Sequence, residues 1–90
     1  MTATPGPRRT RLALDLLREL AATTAPMYGA QLAHTLNAPT GAVYPSLKRL
    51  VAADWLTTTE EEGDAPLIEG RPRRRYYFIT QAGRDALIGY

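Results

Sequence analysis

The residues of this 90-residue chain that could do chemistry are mostly cations, phenols and hydroxyls. Tyr44, Ser46, Lys48 and Arg49 crowd into one short segment, and Arg73, Arg74 and Arg75 stand in a row before Tyr76 and Tyr77. Such groups hold phosphate oxygens and read base edges. The plainer alternative is a solvated surface. Catalysis has little to work with. No glycine-rich phosphate loop follows a strand, no carboxylates are paired for acid–base work, and no nucleophile has a histidine partner in a motif. No catalytic residue, no cofactor and no enzyme is expected. The chain has no cysteine and a single histidine, His34, so disulfides and cysteine-based zinc sites are excluded and no metal is expected.

Charge layout matters more than the net charge of +2. Five of the nine acidic residues, Glu60, Glu61, Glu62, Asp64 and Glu69, lie together. Arg71, Arg73, Arg74 and Arg75 follow at once, and Arg8, Arg9 and Arg11 lie near the start. Clustered arginine is an electrostatic footprint for nucleic acid. The acidic run reads as a solvated loop tip that phosphates would repel. Hydrophobic residues at 44% and charged residues at 22% suit one ordinary globular domain. A chain this short buries about 60–65% of its unfolded surface, so the core is small. No apolar run approaches the ~20 residues that cross a bilayer, and the first residues lack an apolar signal core. A cytoplasmic protein with no membrane contact is expected.

The elements follow from spacing. Residues 1–9, with Pro5, Gly6 and Pro7, read as a flexible basic arm. A first helix runs from Thr10, its N-cap, to Ala22, with Leu12, Leu16 and Leu20 on one apolar face. Leu14, Leu17 and Ala21 form a second stripe, expected to meet another chain. A second helix spans Met27 to Leu36, with Gly29 allowing a neighbouring helix close. Asn37, Ala38 and Pro39 make a tight turn. A third helix, capped by Thr40, spans Gly41 to Ala53 and buries Val43, Leu47, Leu50 and Val51. Its other face shows Gly41, Ala42, Pro45, Lys48 and Arg49, flanked by Tyr44 and Ser46. Pro45 is tolerable there because it lies near the helix start. Strands at Trp55–Glu61 and Arg73–Ile79 form a hairpin with a long charged tip, and Trp55 reads as core at its base. Thr80 caps a last helix from Gln81 to Ile88.

Two short helices joined by a tight turn, then a hairpin, spell a mostly α winged helix-turn-helix with a small β-hairpin. Residues 10–80 would form that domain, and 81–90 a short C-terminal helix with a dimer contact.

Three segments carry a resemblance: Met27-Tyr28-Gly29-Ala30-Gln31-Leu32-Ala33, Thr40-Gly41-Ala42-Val43-Tyr44-Pro45-Ser46-Leu47-Lys48-Arg49-Leu50, and Arg74-Arg75-Tyr76-Tyr77-Phe78-Ile79-Thr80-Gln81-Ala82-Gly83. They resemble the PadR family of bacterial transcriptional regulators over roughly Arg11 to Leu87. The resemblance implies a repressor binding a palindromic double-stranded DNA operator as a homodimer. The family usually has a longer C-terminal helical segment and often a polar residue where Phe78 stands. The DNA-binding residues so expected are Tyr28, Thr40, Gly41, Tyr44, Pro45, Ser46, Lys48, Arg49, Arg73, Arg74 and Arg75. The dimer contact is expected at Leu14, Leu17, Ala21, Leu87, Ile88 and Tyr90. The sequence names no small-molecule effector. The competing reading is a winged-helix protein–protein adaptor or antirepressor.

Overall fold

The computed structural model describes residues 9–89. Their elements are α1 (Arg11–Ala22), β1 (Met27–Tyr28), α2 (Gly29–Thr35), α3 (Thr40–Ala52), β2 (Leu56–Glu60), α4 (Ala65–Glu69), β3 (Arg75–Ile79) and α5 (Gln81–Ile88). The basic arm expected over 1–9 lies outside the described residues except for Arg9, whose guanidinium is 5.7 Å from the Trp55 ring centroid. Tyr90 also lies outside them.

Both long-range helix starts follow local chemistry. Thr10 Oγ1 accepts the Ala13 N–H at 3.1 Å, and Thr80 Oγ1 accepts the Gly83 N–H at 3.1 Å. Each hydroxyl satisfies a donor the helix itself leaves orphaned. The α3 start differs from expectation. Pro39 is its N-cap and Thr40 is already helical. The Ala42 and Val43 N–H groups bond the Pro39 carbonyl, which closes the first turn without a side-chain cap.

Three helices end in the same device. Asn37, Asp54 and Gly70 take positive φ values of 51°, 62° and 67° after α2, α3 and α4. In each case the following N–H reaches back over the last turn: Ala38 to the Ala33 carbonyl, Trp55 to that of Leu50, Arg71 to that of Pro66. This is the Schellman arrangement, which satisfies end carbonyls while turning the chain. The turn between α2 and α3 is thus fixed by Asn37, whose short polar side chain tolerates this backbone.

The core joins Leu16, Leu17 and Leu20 of α1, Leu32 of α2, Val43, Leu47 and Leu50 of α3, Leu56 of β2 and Tyr77 of β3. The second stripe of α1 does not face outward. Leu17 is fully buried and Leu14 is only 4% exposed, because α1 is flanked by α3 and β3 and also by the returning α5. Leu14 and Leu17 are therefore withdrawn from any surface offered to a second chain. Leu87 is partly buried against the same core, while Ile88 stays 81% exposed.

The sheet has three antiparallel strands in the order β1-β3-β2. Met27 and Tyr28, expected inside the second helix, instead pair with Tyr77 and Tyr76. A two-residue strand has no period of its own, and only the partner strand creates it. Both hairpin strands are shorter than expected, so Arg73 and Arg74 precede β3. The loop expected between them contains α4, which begins with Ala65 and the buried Pro66 and is capped by the left-handed Gly70.

That loop is clamped by Glu61. Its carboxylate accepts both ends of the Arg71 guanidinium, at 2.7 and 2.8 Å, and the Arg74 N–H at 3.1 Å. The Glu61 N–H in turn bonds the Arg74 carbonyl at 2.8 Å. A bidentate arginine–carboxylate pair combines charge with fixed geometry. The hydrogen bonds from Arg71 above all hold the Glu61 pKa down to about 2 from an ordinary 4.5. The sequence places Glu61 in a solvated tip; in the structure it is the knot that closes the tip.

At the other end of the wing, Thr80 donates its hydroxyl to the Asp54 carbonyl at 2.6 Å and its N–H to the Trp55 carbonyl at 3.0 Å. Gly83 packs against this junction: a Cβ there would collide with the Trp55 carbonyl oxygen and stand 2.8 Å from Ile79 Cγ1. Gly83→Ala should therefore destabilise the domain by about 1–3 kcal/mol, the usual cost of overpacking. Urea unfolding checks this, and an unchanged midpoint would show that the junction yields freely. The Glu61 clamp has its own pH signature. A carboxyl whose folded pKa is depressed contributes stability above its ordinary value and loses it as pH falls from 4.5 toward about 2. The urea midpoint of Glu61→Gln should lie below that of the parent at neutral pH, and the gap should close across this window. A gap that is the same at pH 7 and pH 2 would refute the ion-pair account.

Candidate nucleic-acid interface

The outward side of α3 is built by its period. Val43, Ser46, Leu47 and Leu50 turn inward, which leaves Gly41, Ala42, Tyr44, Pro45, Lys48 and Arg49 exposed. Ser46 departs from expectation. It lies three residues after Val43 and four before Leu50, on the core-facing stripe. It is 3% exposed and leaves the candidate surface. Thr40 and Gly41 are exposed at the helix start. Lys48 and Arg49 carry no ion pair among the described residues, in contrast to Arg11 and Arg18, which both reach Asp15.

Tyr44 is 46% exposed, although it is large and aromatic. Its ring lies over the first residue of α2. A Cβ on Gly29 would stand 2.7 Å from Tyr44 Cζ and 2.9 Å from its hydroxyl oxygen. The close approach anticipated at Gly29 is thus made by a ring of α3, which a Cβ there would push aside.

Tyr28, just ahead of Gly29, joins this cluster to the wing. Its ring meets that of Tyr76 edge-on, with centroids 6.1 Å apart at 74°. The Arg74 guanidinium lies 4.3 Å from the Tyr28 ring centroid, within cation–π range. A groove of about 350 Å³ runs between the α3 start and the wing, lined by Tyr28, Gly29, Tyr44 and Arg73 to Arg75. Tyr77 completes its lining, and burial pushes the Tyr77 hydroxyl pKa up.

The wing arginines are less free than their row implies. Strand alternation does not order Arg73 and Arg74, which lie ahead of β3. Arg73 donates to the Glu61 carbonyl at 2.8 Å and the Gly63 carbonyl at 3.0 Å, bracing the loop. Arg75 is 3.5 Å from Glu60, its cross-strand partner. Arg71 is held by Glu61 and Glu69. Arg74 has no ion pair among the described residues and points its charge over Tyr28, at the groove. Sequence reasoning missed the clamp. The only signal for it was the acidic block lying directly before the arginines.

His34 is exposed on α2 beside a depression at the α2–α3 turn. Among the described residues no group of three His, Cys, Asp or Glu side chains is placed to hold a metal. Among them, too, no helix is long and apolar enough to cross a membrane.

Arranged this way, one side of the molecule presents a helix with two unpaired cations, a half-exposed phenol and an arginine at the wing root. A comparison with curated protein sequences finds no match. Among solved structures, a PadR family transcription regulator of Clostridium difficile superposes with a TM-score of 0.71 at 22% identity, covering 87% of this chain and 80% of that one. A PadR-like transcriptional regulator of Bacillus cereus superposes with a TM-score of 0.68 at 25% identity, covering 87% of this chain and 75% of that one. The family model described as transcriptional regulator PadR-like matches residues 16–88. With that match running from α1 to the end of α5, the chain belongs to the PadR-like family of transcriptional regulators.

Proposed function

We propose that this regulator is a sequence-specific binder of double-stranded DNA, acting in the cytoplasm as a homodimeric repressor on a palindromic operator. The observation that carries the reading is the pair Lys48 and Arg49, exposed and without ion pairs among the described residues on the outward face of α3. Elsewhere in the described chain most arginines are occupied by carboxylates or carbonyls. Cations left free on the second helix of a helix-turn-helix are where a major groove would meet them.

The centre of that face is small. Gly41 and Pro45 precede Lys48 along one row, which lets the helix approach the groove floor closely. Arg49 lies beside Pro45 and is the candidate base reader, since arginine paired to a guanine edge is the commonest specific contact. Tyr44, leaning on Gly29, and Arg74, at the wing root, would hold phosphates on the wing side. Thr40 and Tyr28 border the same surface. Arg73 and Arg75 act by keeping the wing rigid and adding positive potential.

Two-fold operators need two-fold proteins. With Leu14 and Leu17 buried, the candidate dimer contact narrows to the α5 end, where Ile88 is exposed beside the half-buried Leu87, with Ala21 and Tyr90 as the remaining candidates. A dimer seated on an operator would repress by occupying it.

Selection from a random duplex library, followed by competition against scrambled duplex, tests the reading. Arg49→Ala should cost about 1–3 kcal/mol on the selected duplex and much less on the scrambled one. Arg74→Ala should weaken both about equally. Arg49→Ala acting equally on both duplexes, with Arg74→Ala acting only on the selected one, would move sequence reading from α3 to the wing. Salt gives an independent check. If each subunit neutralises about three phosphates, a dimer neutralises about six, and log K should fall against log[salt] with a slope of roughly −5. A slope near zero would reject the electrostatic picture in favour of a protein-binding adaptor.

A further inference from the structure

The wing tip holds an exposed aliphatic pair that DNA binding leaves unexplained. Leu67 and Ile68 of α4 are 81% and 79% exposed. Their presentation is firm. The Arg71 N–H bonds the Pro66 carbonyl at 3.0 Å across the α4 end, and the Glu61–Arg71 pair ties the loop shut beneath it. A tip built this tightly around two aliphatic side chains in water has the character of a contact site. Its charge rules out a duplex as the occupant. Positions 60–69 hold five acidic residues and no basic one. Glu60, Glu61 and Glu69 are paired with Arg75 and Arg71, which leaves Glu62 and Asp64 without a cation among the described residues.

A groove with an unpaired cation and two half-buried apolar side chains exists on the same chain. β1 covers β3 only at Tyr76 and Tyr77, so the flank of β3 beyond them is open among the described strands. A groove of about 250 Å³ lies there, between the 23–25 segment and the start of α5. Phe78 and Ile79 are its half-buried apolar side chains, Thr23 and Thr24 line its other side, and Arg84 completes the lining. Arg84 is exposed and has no ion pair among the described residues.

We propose that the wing tip of one copy docks in this α1–β3–α5 groove of a second copy, with Leu67 and Ile68 entering the groove and Glu62 and Asp64 facing Arg84. The contact is heterologous: each copy keeps one free tip and one free groove, so copies form a row rather than a closed pair. Two side chains and a charge cluster bury far less than the ~1,000 Å² of a stable interface. The contact is therefore weak in free solution and takes effect where copies are held side by side, as on one duplex under the reading above.

The absence of cysteine makes a clean test possible. Ile68→Cys marks the tip and Thr24→Cys marks the groove. The two variants are mixed in equal amounts at high concentration without DNA and oxidised mildly. Disulfide formation is followed on non-reducing gels, with each thiol's maleimide reactivity as the normaliser and circular dichroism confirming that both fold. The mixed tip–groove disulfide should form several-fold faster than either variant's disulfide with itself. Adding Arg84→Glu to the Thr24→Cys copy should remove most of that advantage. Equal rates in all three combinations, a faster tip–tip disulfide, or an unchanged rate with Arg84→Glu would each overturn the proposal. Since no DNA is present, its failure is distinct from a failure to bind DNA in the competition experiment.

Discussion

The left-handed turn at Asp54, and the grip of Thr80 upon it, is the constraint on which the rest of the architecture depends. Asp54 has φ 62° and sends the chain from the end of α3 straight into β2. Its carbonyl and that of Trp55 are then taken by the Thr80 hydroxyl and N–H. One residue pair thereby fixes where β2 begins, where β3 ends and where α5 sets out. The Thr80 hydroxyl also accepts from the Gly83 N–H, so the same side chain closes the hairpin and caps the helix. A left-handed aspartate carries a local cost of order 1 kcal/mol, offset by the end carbonyls it satisfies and the junction it allows. Gly83 completes this junction by having no side chain to hold the helix off.

Much of the fold was legible in the sequence because its signals are local. Thr10 and Thr80 announced α1 and α5 through their own side chains, and Val43, Leu47 and Leu50 announced α3 by spacing. The match of 16–88 to the PadR-like family agrees with what three sequence segments had already implied. What was not legible is tertiary. β1 exists only because Tyr76 and Tyr77 lie beside Met27 and Tyr28. Leu14 and Leu17 looked like surplus apolar surface, since nothing local says that α5 returns along α1. Ser46 lies on the border between faces of α3, where a hydroxyl flanked by Tyr44 and Lys48 reads as exposed although the helix turns it inward.

The candidate site was less legible than the fold, for an electrostatic reason. A run of arginines counts as positive potential in a sequence, but the structure decides how much of it faces out. Here the block Glu60 to Glu69 folds back on the arginines that follow it. Glu61 absorbs Arg71, Glu60 approaches Arg75, and backbone carbonyls absorb Arg73. Of the row that reads as a basic patch, Arg74 alone points an unpaired charge at the groove, and even that charge rests on the Tyr28 ring. The acidic run and the basic run are therefore two halves of one scaffold, joined through a carboxylate whose depressed pKa records the pairing.

That division of labour gives a physical reason for the different treatment of cations along the chain. A wing is an isolated hairpin in its outer half, and isolated hairpins are marginally stable without help. Ion pairs, carbonyl contacts and the α4 turn supply that help, so wing arginines are used where order is lacking. α3 has no such need. Its inner face already buries Val43, Leu47 and Leu50 in the core, which holds the helix rigid from beneath. Lys48 and Arg49 can then stay solvated, each still free to exchange water for a new partner. A cation already paired must break that pair before it can bind anything else, whereas a solvated one gives up only water and the freedom of its own chain. Rigid support below and unpaired charge above is the combination that sets α3 apart from the wing.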